Sequence, residues 1–302
     1  MDNTKKHAYL IMAHNNFYIL ERLLKLLDDE RNDIYLHVDK KAKQFDSEMI
    51  KKIVKKSNIY IVHRMKVNWG AFSMVRCELL LLEQATNNGK YEYYHLLSGI
   101  DLPLKTQDYI HEFMNQNQGK IFLHFAGEKI EKQNNIISRV SRYYFMQEYM
   151  KHKNKVIRKV SIKLKNVLDK IQIKLKTDRT KKIGKDIKTG AQWFSITDEC
   201  ARYILKNKKY INKHFKFTYC PDELFIQTLI YNTKFMDKLY YNKMDDNYIS
   251  CMRKIDWTRG CPYVYKREDF DELVHSDYLF ARKFSTDIDK EIVDLIYKYL
   301  KK

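Results

Sequence analysis

An α/β fold with a mostly parallel, Rossmann-like central sheet flanked by helices is what this 302-residue chain predicts, on two observations. Short runs rich in β-branched and aromatic residues alternate with helix-period stretches through the first 125 residues. Polar residues gather just after those runs rather than within them. The alternation favours βαβ units, and in such sheets a ligand lies beyond the carboxyl ends of the strands.

Taken in order, strands are expected at Ala8 to Ala13, Ile34 to Val38, Ile59 to Val62, Tyr93 to Leu97 and Ile121 to Phe125. Asn16 to Leu27 reads as a helix with Ile19, Leu23, Leu24 and Leu27 on one face. Met74 to Gln84 repeats the device with Val75, Leu79, Leu80 and Leu82. From Lys151 to Lys176, Ile157, Val160, Leu164, Val167, Leu168, Ile171 and Leu175 recur at helical spacing, with lysines on the other face. That pattern is a basic amphipathic helix, which either lies on an anionic membrane or packs its apolar stripe on the core. Beyond it Trp193 to Ile196 is strand-like and Asp198 to Lys206 helical. With three prolines, eight glycines and no Gly/Ser/Pro-rich linker, one domain over residues 1–302 is expected, carrying a basic, helical insertion at about 128–188.

The formal net charge is +19, and between Lys151 and Gly190 fifteen Lys/Arg face three acidic residues. Such a patch suits a polyanion: nucleic acid, an anionic membrane or a phosphate-bearing substrate. No DNA- or RNA-binding motif accompanies it and the charge sits in one amphipathic segment, so nucleic acid is not the expected partner. No run of about 20 apolar residues is present, and Met1 to Lys6 leads into a strand without a signal-peptide core. The expectation is a cytoplasmic protein, peripheral at most at the inner face of the cell membrane. Five cysteines without a CxxC pair fit reduced, mostly buried thiols better than a disulfide framework or a zinc site.

Three polar clusters fall on one predicted sheet edge: His14-Asn15 after the first strand, Asp39-Lys40 after the second and Ser98-Gly99-Ile100-Asp101 after the fourth. Asp, Asn and Gly also form ordinary turns there. No paired carboxylates of the kind that hold a divalent ion on a diphosphate stand at these ends. Asp287-Ile288-Asp289 comes late and reads as a helix cap. Without a metal, cationic side chains have to neutralise a leaving diphosphate.

Six stretches carry a resemblance: His37-Val38-Asp39-Lys40-Lys41, Trp69 to Val75, Leu97 to Lys105, Gly190-Ala191-Gln192-Trp193-Phe194, Pro221-Asp222-Glu223 and Leu279-Phe280-Ala281-Arg282-Lys283-Phe284. In this order they resemble the core-2/I-branching N-acetylglucosaminyltransferase and peptide O-xylosyltransferase family, across nearly the whole chain. The poorest match is the basic region from about Glu128 to Lys188. The resemblance implies a GT-A-type fold, inverting transfer from a UDP-sugar and no divalent metal or other cofactor. The favoured donor is UDP-N-acetylglucosamine, ahead of UDP-xylose, UDP-glucose and UDP-glucuronate. A bacterial enzyme of surface polysaccharide or glycolipid synthesis is expected, with a saccharide or lipid-linked saccharide acceptor and peripheral contact with anionic membrane through 151–176.

By the same resemblance Glu223 is the catalytic base, and Lys283 with Arg259 binds the diphosphate. Arg253 and Arg267 remain alternatives to Arg259. His14, His37 and Asp39 line the nucleoside pocket, and Trp69 and Asp101 shape the donor-sugar pocket. A positioned carboxylate suits the chemistry, because an acceptor hydroxyl is a poor nucleophile until its proton is removed. The rival readings are a metal-dependent transferase using Asp101 or Asp287 and Asp289, and, more remotely, a basic nucleic-acid-binding protein.

Overall fold

The computed structural model describes residues 6–43, 45–133 and 135–301; the opening stretch Met1 to Lys5 lies outside them. The strands are β1 (His7–Ala13), β2 (Asn32–Val38), β3 (Asn58–Ile61), β4 (Tyr93–Ser98), β5 (Leu102–Pro103), β6 (Phe122–Leu123), β7 (Phe194–Thr197), β8 (Arg253–Ile255) and β9 (Phe280–Arg282). The helices are α1 (Phe17–Leu27), α2 (Ser47–Ile53), α3 (Phe72–Asn88), α4 (Gln107–Gln116), α5 (Glu128–Gln133), α6 (Ile136–Ser141), α7 (Lys155–Lys174), α8 (Thr180–Ile183), α9 (Asp198–Lys206), α10 (Lys208–Phe215), α11 (Phe225–Ile230), α12 (Phe270–Val274) and α13 (Glu291–Leu300).

Six strands form the main sheet in the order β3-β2-β1-β4-β7-β6. The four on the β3 side run parallel, and β7 and β6 pair antiparallel. A small second sheet runs β5-β9-β8. Every residue of β1 is buried, and its side chains alternate between two cores. Ala8, Leu10 and Met12 join the core that holds α3, α9 and α11, while Tyr9, Ile11 and Ala13 join the one that holds α1 and α13. A period of two along a strand covered on both faces yields this three-layer α/β architecture.

The predicted elements recur with shifted ends. α1 buries Ile19, Leu20, Leu23, Leu24, Leu26 and Leu27, each fully buried Leu or Ile contributing about 1.5–3 kcal/mol. The expected strand Ile121 to Phe125 shrinks to β6, because only Phe122 and Leu123 find partners on the short β7. The described part of 128–188 holds α5 to α8 and a 3-10 turn, Gln147–Tyr149, and contributes no strand. The predicted α7 stripe does not pack on the core: Ile157, Val160, Leu164, Val167, Ile171 and Leu175 are exposed, and Leu168 is half-buried without joining either core. Cys77, Cys200, Cys220 and Cys251 are buried, and Cys261 is exposed.

Arg253 ties the two sheets together. Wholly buried, its guanidinium donates to Ser195 Oγ (2.9 Å) and to the carbonyls of Phe194 (2.7 Å) and Leu96 (3.3 Å), and lies 4.6 Å from the Phe280 ring centroid. That burial pushes its pKa down to about 10. Its place is the core rather than a ligand surface.

Candidate active site

The carboxyl ends of β1, β2 and β4 are neighbours, so the residues that follow them meet. The Asp39 amide donates to Ala13 O (2.8 Å) and the Gly99 amide to Met12 O (2.9 Å), drawing both following loops against the end of β1. A side chain at 99 would bring its Cβ to 2.7 Å of the Ala13 Cβ, which explains the glycine in Ser98-Gly99-Ile100-Asp101. Asp39 accepts from the Lys41 amide (2.8 Å) and pairs with its ammonium (3.2 Å). Asp101 is buried; its carboxylate accepts from the Ser98 amide (2.8 Å) and hydroxyl (2.6 Å) and faces Arg282 at 3.4 Å. Burial raises the Asp101 pKa and the Arg282 charge opposes that rise.

His14 is exposed and, with Asp39, lines a cleft of about 1260 Å³. Its other walls come from the loop after β3 and the start of α3, from residues between Tyr144 and Lys153, and from the end of α10 with the loop after it, and they are rich in cations: Lys66, Arg76, Lys151, Lys153, Lys213 and Lys216. The two lining carboxylates are already occupied. Asp39 pairs with Lys41, and Glu148 accepts from the Ser73 amide (3.0 Å) and hydroxyl (2.8 Å) and from Asn68 Nδ2 (2.8 Å) at the start of α3. A phosphate-bearing ligand matches this charge balance. His37 lies beneath the cleft rather than in it. Its buried Nε2 accepts from the Met65 amide (3.0 Å), and burial lowers its pKa to about 4, so the ring is neutral.

Glu223 closes the 3-10 turn Pro221–Glu223, and residues distant in sequence fix it. Its carbonyl accepts from the Gly190 amide (3.0 Å) and the Thr189 hydroxyl (2.8 Å). Gly190 has no space for a side chain, since a Cβ would fall 1.8 Å from His124 O. The Cys220 amide donates to Gly70 O (2.9 Å), and Gly70, at φ +71, packs on Cys220, Tyr219 and Gln147. Arg139 completes the frame, donating to Tyr219 O (3.1 Å), Cys220 O (2.7 Å) and Glu223 Oε2 (2.9 Å). The Glu223 side chain stays 41% exposed, so its carboxylate is oriented yet reachable.

Trp69 stands beside this turn, 54% exposed, with its ring edge-on to Tyr219 and Lys151 Nζ 3.8 Å from its ring centroid. Lys151 and Gln147 line the cleft and also lie against Trp69 and Gly70, so the cleft and the Glu223 turn share neighbours. Behind it lie two buried acids. Asp222 is pushed up to about 7 by burial and by the Glu223 charge, and Glu78 is raised by burial while accepting from Gln192 Nε2 (2.8 Å). Asp222 Oδ1 and Glu78 Oε2 have no hydrogen-bond partner among the described residues, which a neutral carboxyl tolerates far better than an ionised one.

Of the C-terminal cations, Lys283 makes no ion pair among the described residues. Its neighbour Arg282 sits 4.1 Å from the Trp193 ring centroid and faces Asp101, so the Gly190–Phe194 and Leu279–Phe284 stretches meet there. Arg259 is different. It pairs with Asp256, with Asp269 (2.6 Å) and with Glu272 (3.1 Å), and stacks over Tyr263. Arg267 is exposed and pairs with Glu291 (3.1 Å). Asp289 caps α13, accepting from the Glu291 (2.8 Å) and Ile292 (3.2 Å) amides, and also accepts from the Arg267 amide (2.9 Å). Among the described residues no group of three or more His, Cys, Asp or Glu side chains gathers as a metal site would.

Sequence reasoning missed Arg139, Glu78 and Arg282. Arg282 lay inside a quoted motif and could have been weighed; Arg139 lay in the region of poorest resemblance and Glu78 inside a helix, where nothing marked them.

Comparison with known proteins fits this geometry. The profile of the Core-2/I-Branching enzyme family matches residues 7–276. Xylosyltransferase 2 of Rattus norvegicus is 23% identical over 308 residues, covering 96% of this chain and 33% of the relative. The Drosophila melanogaster xylosyltransferase oxt is 24% identical, covering 93% of this chain and 32% of its own. The Bos taurus beta-1,3-galactosyl-O-glycosyl-glycoprotein beta-1,6-N-acetylglucosaminyltransferase is 25% identical over 321 residues, covering 97% and 69%. The chain thus spans about a third of the length of the xylosyltransferases it matches.

Proposed function

The chain belongs to the Core-2/I-Branching enzyme family, and from that premise we propose that it is a glycosyltransferase moving a sugar from a UDP-sugar to a hydroxyl of a saccharide acceptor, with inversion and without a catalytic metal. The observation that carries this reading is Glu223: an accessible carboxylate paired with Arg139, on a turn whose backbone carbonyl is held by Gly190 and Thr189, beside a cation-lined cleft.

In a single displacement, Glu223 takes the proton of the acceptor hydroxyl as the oxygen attacks the anomeric carbon. The bond to the diphosphate breaks on the opposite face, and UDP leaves. Holding both substrates in line removes much of the entropic barrier. Lys283 stabilises the charge that develops on the leaving diphosphate. Arg259 would have to give up its three carboxylate partners to join it, which favours Lys283 for the role. His14 and Asp39 hold the nucleoside end, and Trp69 stands where the donor sugar meets Glu223.

The absence of a metal role is supported by how two of the three candidate carboxylates are used. Asp101 is taken by Ser98 and Arg282, and Asp289 by the α13 amides. The relatives' names point to N-acetylglucosamine or xylose as the transferred sugar, with N-acetylglucosamine first. The pathway proposed is bacterial surface polysaccharide or glycolipid synthesis. Calorimetry in EDTA with UDP and a panel of UDP-sugars tests the reading. One UDP-sugar binding, and supporting transfer, in EDTA is the expected result; binding or transfer that appears only on adding a divalent ion overturns the metal-free mechanism.

A further inference from the structure

The helix α7 is built inside out for a soluble surface helix. Its inward side is polar: Ser161 and Gln172 are buried, and Lys165 pairs with Asp169 (2.7 Å). The Gln172 carboxamide accepts from the Tyr143 amide (2.7 Å) and donates to Tyr143 O (3.1 Å), so polar contacts seat the helix. The apolar stripe points away. Val156, Val160, Leu164, Val167, Ile171 and Leu175 follow at three- and four-residue spacing and are 68, 59, 41, 46, 48 and 71% exposed. At 100° per residue, Lys159, Lys163, Lys170 and Lys174 fall along one flank of that stripe. None of the four makes an ion pair among the described residues, and Asp169 is the only acid in the helix.

Leaving six aliphatic side chains in water costs free energy that a monomer has no reason to bear unless something covers them. The flanking charge identifies the occupant. A second copy of a chain with net charge +19 would set lysine flank against lysine flank, whereas an anionic bilayer offers acyl chains to the stripe and phosphates to the ammonium groups. Among the described residues no helix is long and apolar enough to cross a membrane, so α7 would lie in the interface, its axis about 30 Å long and parallel to the surface.

We propose that α7 is a docking surface for an anionic phospholipid bilayer. Tyr149, from the 3-10 turn against which α7 packs, lines the cleft, so docking holds the cleft mouth near the lipid headgroups. That consequence, unlike the docking, rests on the transferase reading, and it makes a lipid-linked acceptor the natural substrate.

Vesicle flotation without any sugar nucleotide tests the docking separately from transfer. The wild-type protein is expected to float with phosphatidylcholine/phosphatidylglycerol vesicles, to release as salt rises and to ignore pure phosphatidylcholine. The triple variant V160D/V167D/I171D, checked for wild-type circular dichroism and Tm, is expected to bind about tenfold more weakly or worse. Replacing Lys159, Lys163, Lys170 and Lys174 by Gln should remove most of the salt dependence. Failure of the wild type to bind anionic vesicles, or undiminished binding by the folded triple variant, overturns the proposal. So does a wild-type dimer in light scattering that the triple variant converts to monomer, which would give the stripe to a second copy.

Discussion

Glu223 and Arg259 both read from the sequence as charged site residues, and the structure holds them in opposite ways. The turn that carries Glu223 is organised from afar, by Gly70, Arg139, Thr189 and Gly190, and leaves the carboxylate 41% exposed with one cationic partner. The Arg259 loop is organised locally: its carboxylate partners, Asp256, Asp269 and Glu272, all lie within thirteen residues, and they saturate the guanidinium. A short turn that needs four distant residues to set one reachable carboxylate is poor economy for stability alone. A local ion cluster completes itself and needs no ligand. The contrast separates a residue held ready for a substrate from one that shapes a loop.

The largest expected effect tests the first half of that contrast. Glu223→Gln keeps the hydrogen-bonding shape but cannot take a proton, so transfer should fall about 10²–10⁴-fold while UDP affinity stays near wild type. Turnover close to wild type would remove Glu223 as the base. Next come the two cations. Lys283→Ala should weaken UDP binding by about 1.5–3 kcal/mol, roughly 10–150-fold in Kd, with little change in Tm. Arg259→Ala should do the reverse: it takes one cation from three carboxylates, of which Glu272 keeps Lys254, lowering stability by about 1–2 kcal/mol, a few degrees of Tm, and leaves the UDP Kd within a factor of about two. If Arg259→Ala instead weakened UDP as much as Lys283→Ala, the local cluster would have to open on binding and the comparison would collapse.

What the sequence made legible follows the same division. Short continuous runs of apolar, β-branched and aromatic residues exposed β1, β2 and β4 because their residues are buried on both faces, and with them the shared edge where His14, Asp39 and Asp101 follow. The glycines at 70, 99 and 190 stood inside the resembling stretches, and the structure supplies their reasons: a φ of +71 at Gly70, and no room for a side chain against Ala13 at Gly99 or His124 O at Gly190. Arg139 was invisible, since one arginine in a basic segment carries no pattern and only the fold brings it to Glu223. Helical periodicity located α1 and α7 equally well but was silent on direction: one stripe turns into the core, the other into solvent, and the difference rests on polar inward residues such as Gln172. His37 shows a related limit: the residue pattern put it beside Asp39, but only the fold shows that it is buried, with its Nε2 taken by the Met65 amide, beneath the cleft that Asp39 lines.

The smallest effect probes what stands behind Glu223. Asp222 has a pKa of about 7 in the folded protein, raised first by burial and then by the Glu223 carboxylate, against about 3.9 in an unfolded chain. Between those values the folded state holds the extra proton, so stability is full below about pH 4 and falls as pH rises through 7. Asp222→Asn removes that titration. Its Tm should match wild type near pH 4, exceed it by a few degrees at pH 8 and show a shallower decline between. Glu223→Gln, which takes away the second cause of the shift but not the burial, should flatten the decline only in part. Equal pH slopes for wild type and Asp222→Asn would mean that Asp222 folds ionised. The turn would then be holding two adjacent negative charges rather than one, and Arg139 would be shared between them instead of reserved for the base.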